Sequence, residues 1–224
     1  MPKLKRLMEL IHQGEYRKII NYAVTFLPKQ IYSLSASLRD KRFGGKSVNR
    51  AIPSKYAKQG SSPTQSSDYR CLKRVFKEVP LLPDDVFVDV GCGEGRVLTY
   101  LYSKGFRGRA IGIDLDEDVA KAAAMRTASC ENVEIRCGNV LEQGDMFKDA
   151  TAVYLFNPFS RRIFKPFVQM LETVCSKPVR LYYLNCLYVS EIQDNENWKC
   201  LVSGEIRRIG LRPMQFAVYE LKRF

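Results

Sequence analysis

Residues 86–96 read Val86-Phe87-Val88-Asp89-Val90-Gly91-Cys92-Gly93-Glu94-Gly95-Arg96, and this stretch decides the fold. A short apolar run with an acid near its end reads as a buried strand, and residues 86–90 are predicted to form it. The three alternating glycines let the backbone turn sharply and let a ligand approach it closely. A helix is predicted to follow over residues 95–103. In an open α/β sheet, ligands bind beyond the carboxyl ends of the strands at such a turn.

Working outward, strands are predicted over residues 110–113, 133–137, 152–156 and 179–184, with helices over 117–128 and 162–174 between them. Runs at 204–209 and 215–221 read as a closing antiparallel pair. Such alternation argues for a mostly parallel sheet covered on both faces. Upstream, Asp68 caps a predicted helix ending at Glu78, before Pro80 and Pro83 break the chain. Residues 40–67, rich in Gly, Ser and Pro, read as a long loop that could fold over a site as a lid. From Pro2 to about Ser35, Leu4, Leu7, Leu10, Ile11, Ile19, Ile20 and Tyr22 recur at helical spacing. They predict an amphipathic helical pair, interrupted near Gly14 and ended near Pro28. Apolar stripes of this kind ordinarily pack on the main domain or on a second copy. The predicted division is therefore 1–67, a basic helical extension and loop, and 68–224, the ligand-binding domain.

The chain has 224 residues, 46% hydrophobic and 27% charged, which excludes a disordered or collagen-like polymer. No apolar stretch is long enough to span a membrane, and no secretory signal is read at the N-terminus. The seven cysteines form no C-x-x-C pair, and His12 is the only histidine, so no metal site is expected. Reduced, buried thiols predict a cytoplasmic location. Net charge is +12, and residues 1–80 carry 17 Lys/Arg against 5 Asp/Glu, whereas the remainder carries 19 of each. A neutral body with a basic front suits a polyanion or an anionic membrane surface, peripherally bound; it is equally a solvated, solubilising face.

A second acid, Asp114, ends the next strand, where a carboxylate can accept from both hydroxyls of a ribose. A nicotinamide dinucleotide fits that spacing too. However, its fingerprint is G-x-G-x-x-G, whereas Arg96 stands here at the third glycine's place. Asp89 would moreover repel a pyrophosphate and suit an ammonium group. Cys92 reads as a small buried filler.

Asp89-Val90-Gly91-Cys92-Gly93-Glu94-Gly95 strongly resembles motif I of the class I S-adenosylmethionine-dependent methyltransferases. Asp114 matches the acid ending their second strand, and Cys137-Gly138-Asn139-Val140 the region bracketing the adenine. Leu155-Phe156-Asn157-Pro158-Phe159 matches the motif after the fourth strand, and with motif I it is similar to a group of small bacterial methyltransferases carrying Phe-Asn-Pro-Phe. The resemblance covers about residues 64–221. It implies a Rossmann-like methyltransferase fold, a mostly parallel seven-stranded sheet with a C-terminal antiparallel hairpin, to which the basic helical extension is added. The implied cofactor is S-adenosyl-L-methionine. Asp89 would hold its ammonium, and Gly91, Cys92 and Gly93 would lie along its methionine part, with Gly95 allowing the turn. Asp114 would bind the ribose, Leu115 and Val140 would pack at the adenine, and Asn139 would reach the adenine amino edge. Many relatives carry Asp at that last position, so the amide here offers an acceptor without a charge. Thr64 and Tyr69 would line the methionine end.

Asn157, Pro158 and Phe159 are the implied catalytic residues. Enzymes that methylate exocyclic amines of bases carry (Asp/Asn)-Pro-Pro-(Tyr/Phe) there, one proline more than this chain. The same residues also read as a turn-forming Asn-Pro beside a core phenylalanine. The resemblance implies methyl transfer to an amine, amide or hydroxyl, with Tyr69, Asp145 and Tyr183 as base candidates by residue type. The alternative is a non-catalytic scaffold binding nucleic acid or an anionic membrane through its basic front. The expected effect of removing residues 1–60 is impaired transfer with cofactor binding spared.

Overall fold

The computed structural model of the chain describes residues 8–21, 24, 26–208 and 211–222. The sequence predictions at Pro2, Leu4, Leu7 and Tyr22 lie outside these residues. Strand β3 (Phe87–Val90) is buried along its whole length, because parallel partners flank it on both sides: β4 (Ala110–Asp114) and β6 (Ala152–Phe156). Beyond β4 lies β5 (Val133–Cys137), and beyond β6 lies β7 (Val179–Leu184). The long hairpin β8 (Trp198–Arg208) and β9 (Leu211–Leu221) closes the sheet, giving the order β5-β4-β3-β6-β7-β9-β8. After β3 the chain winds outward to β5 and then returns to the other side at β6. The topological switch therefore lies between β3 and β6, where a crevice opens beyond their carboxyl ends.

Helix α4 (Arg96–Ser103) starts directly from the glycine turn and is buried over its first six residues. Gly95 caps it at φ +81°, and a side chain there would press on Ala123 of α5 (Glu117–Thr127). Helix α3 (Tyr69–Glu78) is capped as expected by Asp68, whose carboxylate accepts from Arg70 N, a cap worth about 1 kcal/mol. Helices α6 (Arg161–Val174) and α7 (Ser190–Gln193) complete the layers.

The closing hairpin is longer than the pattern predicts. Most of β8 is exposed, so its polar residues give no alternation to read.

The extension departs further from expectation. Gly14 does interrupt the helical chain, at φ +68°, between the helical residues 8–12 and α1 (Tyr16–Asn21). Pro28, however, opens a helix rather than ending one: α2 runs Leu27–Gly44 with the proline in its first turn, where no backbone N–H is needed. The predicted loop thus begins at Gly45, and it is structured. It carries the short hairpin β1 (Ala51–Ile52) and β2 (Thr64–Gln65). The apolar stripe does not face the domain either. Ile11, Ile20 and Val24 of that stripe are more than half exposed, and so are Leu27, Ile31, Leu34 and Leu38 beyond it. Instead α2 turns Ala36 and Asp40 inward, both fully buried, so it docks through polar contacts rather than its stripe.

Asp40 is the centre of that docking. Its carboxylate accepts from Arg96 Nε (3.0 Å) and Nη2 (2.7 Å), from Tyr69 Oη (2.7 Å) and from Val48 N (3.1 Å). Arg96 also donates to Ser67 O at 3.0 Å, and Arg126 donates to Asp40 O at 3.2 Å. A buried pair survives the loss of water only when its remaining donors and acceptors are met, and here they are.

Candidate active site

The crevice at the switch point is a cleft of about 500 Å³. Its floor is β3, β4 and β6, and its walls are the turns after them. One wall comes from the extension. Ser62 N donates to Pro158 O at 2.9 Å, Ser160 N donates to Gly60 O at 2.8 Å, and Ser61 bridges to Phe159. The segment read as a loop over a site is therefore an ordered rim, sewn by backbone hydrogen bonds to the turn after β6.

Asp89 sits near the end of β3, 1% exposed, and its Oδ2 has no hydrogen-bond partner although it lies on the cleft. Burial, reinforced by the charge of Asp114, pushes its carboxyl up to about 8. A buried acceptor left open is costly unless a ligand completes it. Beside it Gly91 holds φ +69°, and a side chain there would lie 2.6 Å from Pro158 Cβ. Gly93 holds φ +55° and faces Thr64. Asp114 accepts from Gly93 N and Asp116 N, each at 3.0 Å, one bond on each oxygen. Each oxygen keeps a lone pair for a further donor. Burial raises its pKa above the usual carboxylate range, opposed by those backbone donors. Leu115, Cys92, Val140 and Asn139 also line the cleft.

The structure thus brings together Thr64, Asp89, Gly91, Cys92, Gly93, Asp114, Leu115, Asn139, Val140, Asn157, Pro158 and Phe159. Two assigned residues are not among them. Tyr69 turns away because its hydroxyl is held by Asp40, and its ring faces a different cavity. Gly95 lies behind the turn, packed on α5, and shapes the loop without facing the cleft. Asn139 is present, but its carbonyl accepts from Leu141 N at 3.1 Å and its amide donates to Glu142 Oε1 at 2.9 Å. It caps a short turn, and this competes with the adenine role.

Asn157 adopts φ +44°, a left-handed conformation for a non-glycine residue, and its Oδ1 accepts from Tyr183 Oη at 3.2 Å. Backbone strain of this kind collects at functional sites. Phe159 is buried against Phe164 and Phe167, so its ring belongs to the core as well as to the cleft. The other base candidates are committed elsewhere: Asp145 pairs with Arg136 at 2.8 Å, outside the cleft. Burial raises the Tyr183 pKa further above its ordinary value.

Sequence reasoning missed the residues that tie the rim to the cleft. Glu94 is buried and takes Arg50 at 3.2 Å and Lys46 at 3.8 Å, and Lys55 reaches Asp116 at 3.4 Å. Part of the basic excess therefore neutralises acids flanking the glycine turn. The available signal was the run of cations between Lys41 and Lys58 without a single acid.

A parallel sheet reversed at a glycine turn, with an acid in the first strand and another ending the second, is the arrangement that the resemblance to the class I S-adenosylmethionine-dependent methyltransferases implies. Residues 87–175 match the family model described as a methyltransferase domain. The chain is 33% identical over 131 residues to a ribosomal RNA small subunit methyltransferase A of Thermotoga neapolitana, covering 52% of this chain and 50% of that protein. It spans half or less of the length of the curated relatives it matches. Among solved structures it resembles TrmN from Thermus thermophilus (TM-score 0.57, 12% identity, 67% of this chain and 48% of that one). It also resembles an RNA methyltransferase from Salinibacter ruber in complex with S-adenosyl-L-homocysteine (TM-score 0.52, 19% identity, 70% and 93%). These likenesses are of fold. The residues of the cleft fit the cofactor of this class: the open Asp89 oxygen suits an ammonium, and the glycine turn leaves space that side chains would fill.

Proposed function

We propose that the chain transfers a methyl group from S-adenosyl-L-methionine to an amine or amide nitrogen presented at Asn157, Pro158 and Phe159. The observation that carries this is the buried, unpartnered Asp89 oxygen beside a glycine turn at the topological switch. Bound there, the cofactor would supply an activated sulfonium methyl, so alignment carries much of the rate. Asp89 would hold the ammonium, Asp114 would accept from the ribose through its remaining lone pairs, and Thr64 and the backbone from Gly91 to Gly93 would flank the methionine part. Leu115 and Val140 would pack at the adenine. Asn157 would accept from the acceptor N–H with its side-chain oxygen, steadied by Tyr183. A nitrogen is favoured over a hydroxyl because a hydroxyl calls for a general base. Among the described residues lining the cleft there is no histidine or lysine, and its carboxylates Asp89 and Asp114 are taken up by the cofactor roles given above, while Glu142 holds Asn139. Support for RNA as the acceptor polymer comes from the names of the relatives, three of which are ribosomal RNA methyltransferases.

In this reading residues 1–67 form an extension that completes the cleft of the domain 68–224, and the protein works in a reducing cytoplasm. No helix among the described residues is long and apolar enough to cross a membrane. Peripheral contact with an anionic membrane is a second reading, favoured by the exposed stripe of α2 with Lys41 and Arg42 beside its end.

The test is calorimetric titration with S-adenosyl-L-homocysteine. The native chain should bind it, and Asp114→Ala should weaken binding by roughly 1–3 kcal/mol with the fold retained. Equal affinity in the variant removes Asp114 from the ribose role, and absence of binding to the native chain removes the cofactor reading.

A further inference from the structure

A second and larger cavity, of about 980 Å³, lies at the other end of β3, where the strand begins. Its walls are the C-terminal part of α2, the outer face of α3, the Pro80–Pro83 segment and the turn after α4. Six cations line it: Arg39, Arg42, Lys73, Lys77, Lys104 and Arg107. No Asp or Glu lines it, and none of the six forms an ion pair among the described residues. Glu78, the acid at the end of α3, is turned to Arg74 at 3.0 Å. The contrast with the rim behind the cleft is direct, since Lys46, Arg50 and Lys55 all have carboxylate partners.

The arginines are also placed in advance. Arg39 lies over the Tyr69 ring (5.6 Å to its centre), Arg42 over Phe43 (5.5 Å) and Arg107 over Tyr102 (4.2 Å). A guanidinium held over a ring loses less freedom when its N–H groups meet an anion. Phe43 and Phe106 leave apolar ring surface on the same cavity. Like cations gathered without a counter-charge repel one another, and an anion removes that cost. Repeated cations interleaved with rings fit a repeated anion joined to flat bases, more closely than a lone phosphate or an acyl chain.

We propose that this groove binds the phosphodiester backbone of a single-stranded polynucleotide, away from the methyl-transfer cleft. That the bound polymer carries the acceptor nitrogen rests on the proposed function above; the groove itself does not. The groove and the cleft share one wall, because Tyr69 faces the groove, Arg96 faces the cleft, and Asp40 holds both.

The experiment is fluorescence anisotropy on the full chain with a labelled, mixed-sequence single-stranded RNA of about 20 nucleotides, and with its DNA counterpart, over a series of salt concentrations. The triple variant Lys73→Ala, Lys77→Ala, Lys104→Ala should bind at least about tenfold more weakly than the native chain. Its slope of log affinity against log salt should be shallower by about 2, the loss of three phosphate contacts on a single strand. A matched control, Lys165→Ala, Lys177→Ala, Lys199→Ala, removes the same charge elsewhere and should change little. The RNA and DNA arms show which polymer is preferred, and groove-dependent binding of either supports the proposal. Equal loss in both triple variants, no loss in the groove variant, or groove-dependent binding of phosphatidylglycerol vesicles without any of polynucleotide overturns it. Titration of the same proteins with S-adenosyl-L-homocysteine separates the two readings. Polynucleotide binding without cofactor binding defeats the methyl-transfer reading alone, and the reverse defeats the groove alone.

Discussion

The two ends of α4 sit in opposite electrostatic surroundings. At its start, Arg96 and the neighbouring Glu94 are buried and fully paired with the extension, through Asp40, Arg50 and Lys46. At its end, Lys104 and Arg107 stand in a groove without a carboxylate. The same basic extension meets both ends, yet its charges are spent internally at one and left outward at the other. Net charge alone therefore misleads: what matters is which cations still lack a partner after folding.

The largest expected effect tests the paired end. Arg96→Ala leaves Asp40 buried without its main counter-charge and should cost about 3–5 kcal/mol in chemical denaturation. The double variant Arg96→Met, Asp40→Leu should be less destabilised than the sum of the two single changes, because neither member of the pair is then buried without the other. If Arg96→Ala unfolds at the native denaturant midpoint, the pair does not hold the extension.

Asp89 sharpens the comparison, being a buried carboxyl left open where Asp40 is closed. Its carboxyl is raised above the unfolded value, so the charged form is disfavoured in the fold, and stability falls as pH rises from about 4 toward 8. Asp89→Asn should raise the melting temperature of the unliganded protein by roughly 2–8 °C at neutral pH. The same change should weaken S-adenosyl-L-homocysteine binding by at least about tenfold. Because an ammonium prefers the ionised partner, native affinity should rise with pH up to about 8, and this rise should vanish in Asp89→Asn. A pH-independent native affinity would dissociate Asp89 from the ammonium.

The smallest effect belongs to the exposed partners at the rim. Lys46→Ala should change stability by no more than about 1 kcal/mol, since Lys46 is 54% exposed and Glu94 keeps Arg50. A larger loss would make the rim as tightly held as the Asp40 centre.

Residues 86–96 were legible because their information is local: strand, turn and helix follow one another within a few residues. Asp114, Leu115 and the Asn157 turn were legible for the same reason, each standing at the end of a readable strand. The extension was not, because its meaning lies across distance. The counter-charge of Asp40 is Arg96, 56 residues away, and no periodicity marks it. Tyr69 was placed in the cleft by proximity in sequence, whereas its direction is set by Asp40, 29 residues upstream. Asn139 was read for its side-chain type, but the turn that follows takes its carbonyl first. Ile11, Ile20 and Val24 of the predicted stripe are exposed, against the ordinary rule that apolar spacing faces the core. These contacts also change the expectation for removal of residues 1–60. That cut would strand Arg96 behind the glycine turn, so cofactor affinity should fall along with transfer.

The shared carboxylate of Asp40 has a consequence for how the molecule breathes. Val48 N, the Tyr69 hydroxyl and the Arg96 guanidinium all depend on it, so the inner turn of α2 cannot open without loosening the starts of α3 and α4. Local opening with few lost contacts is what lets a segment exchange its amide hydrogens independently of the core. Here the segment from Ala36 to Val48 is bound into the same cooperative unit as the helix that begins at the glycine turn. Its amides should share the slow exchange of α4, while those of α1, which buries no residue, exchange freely.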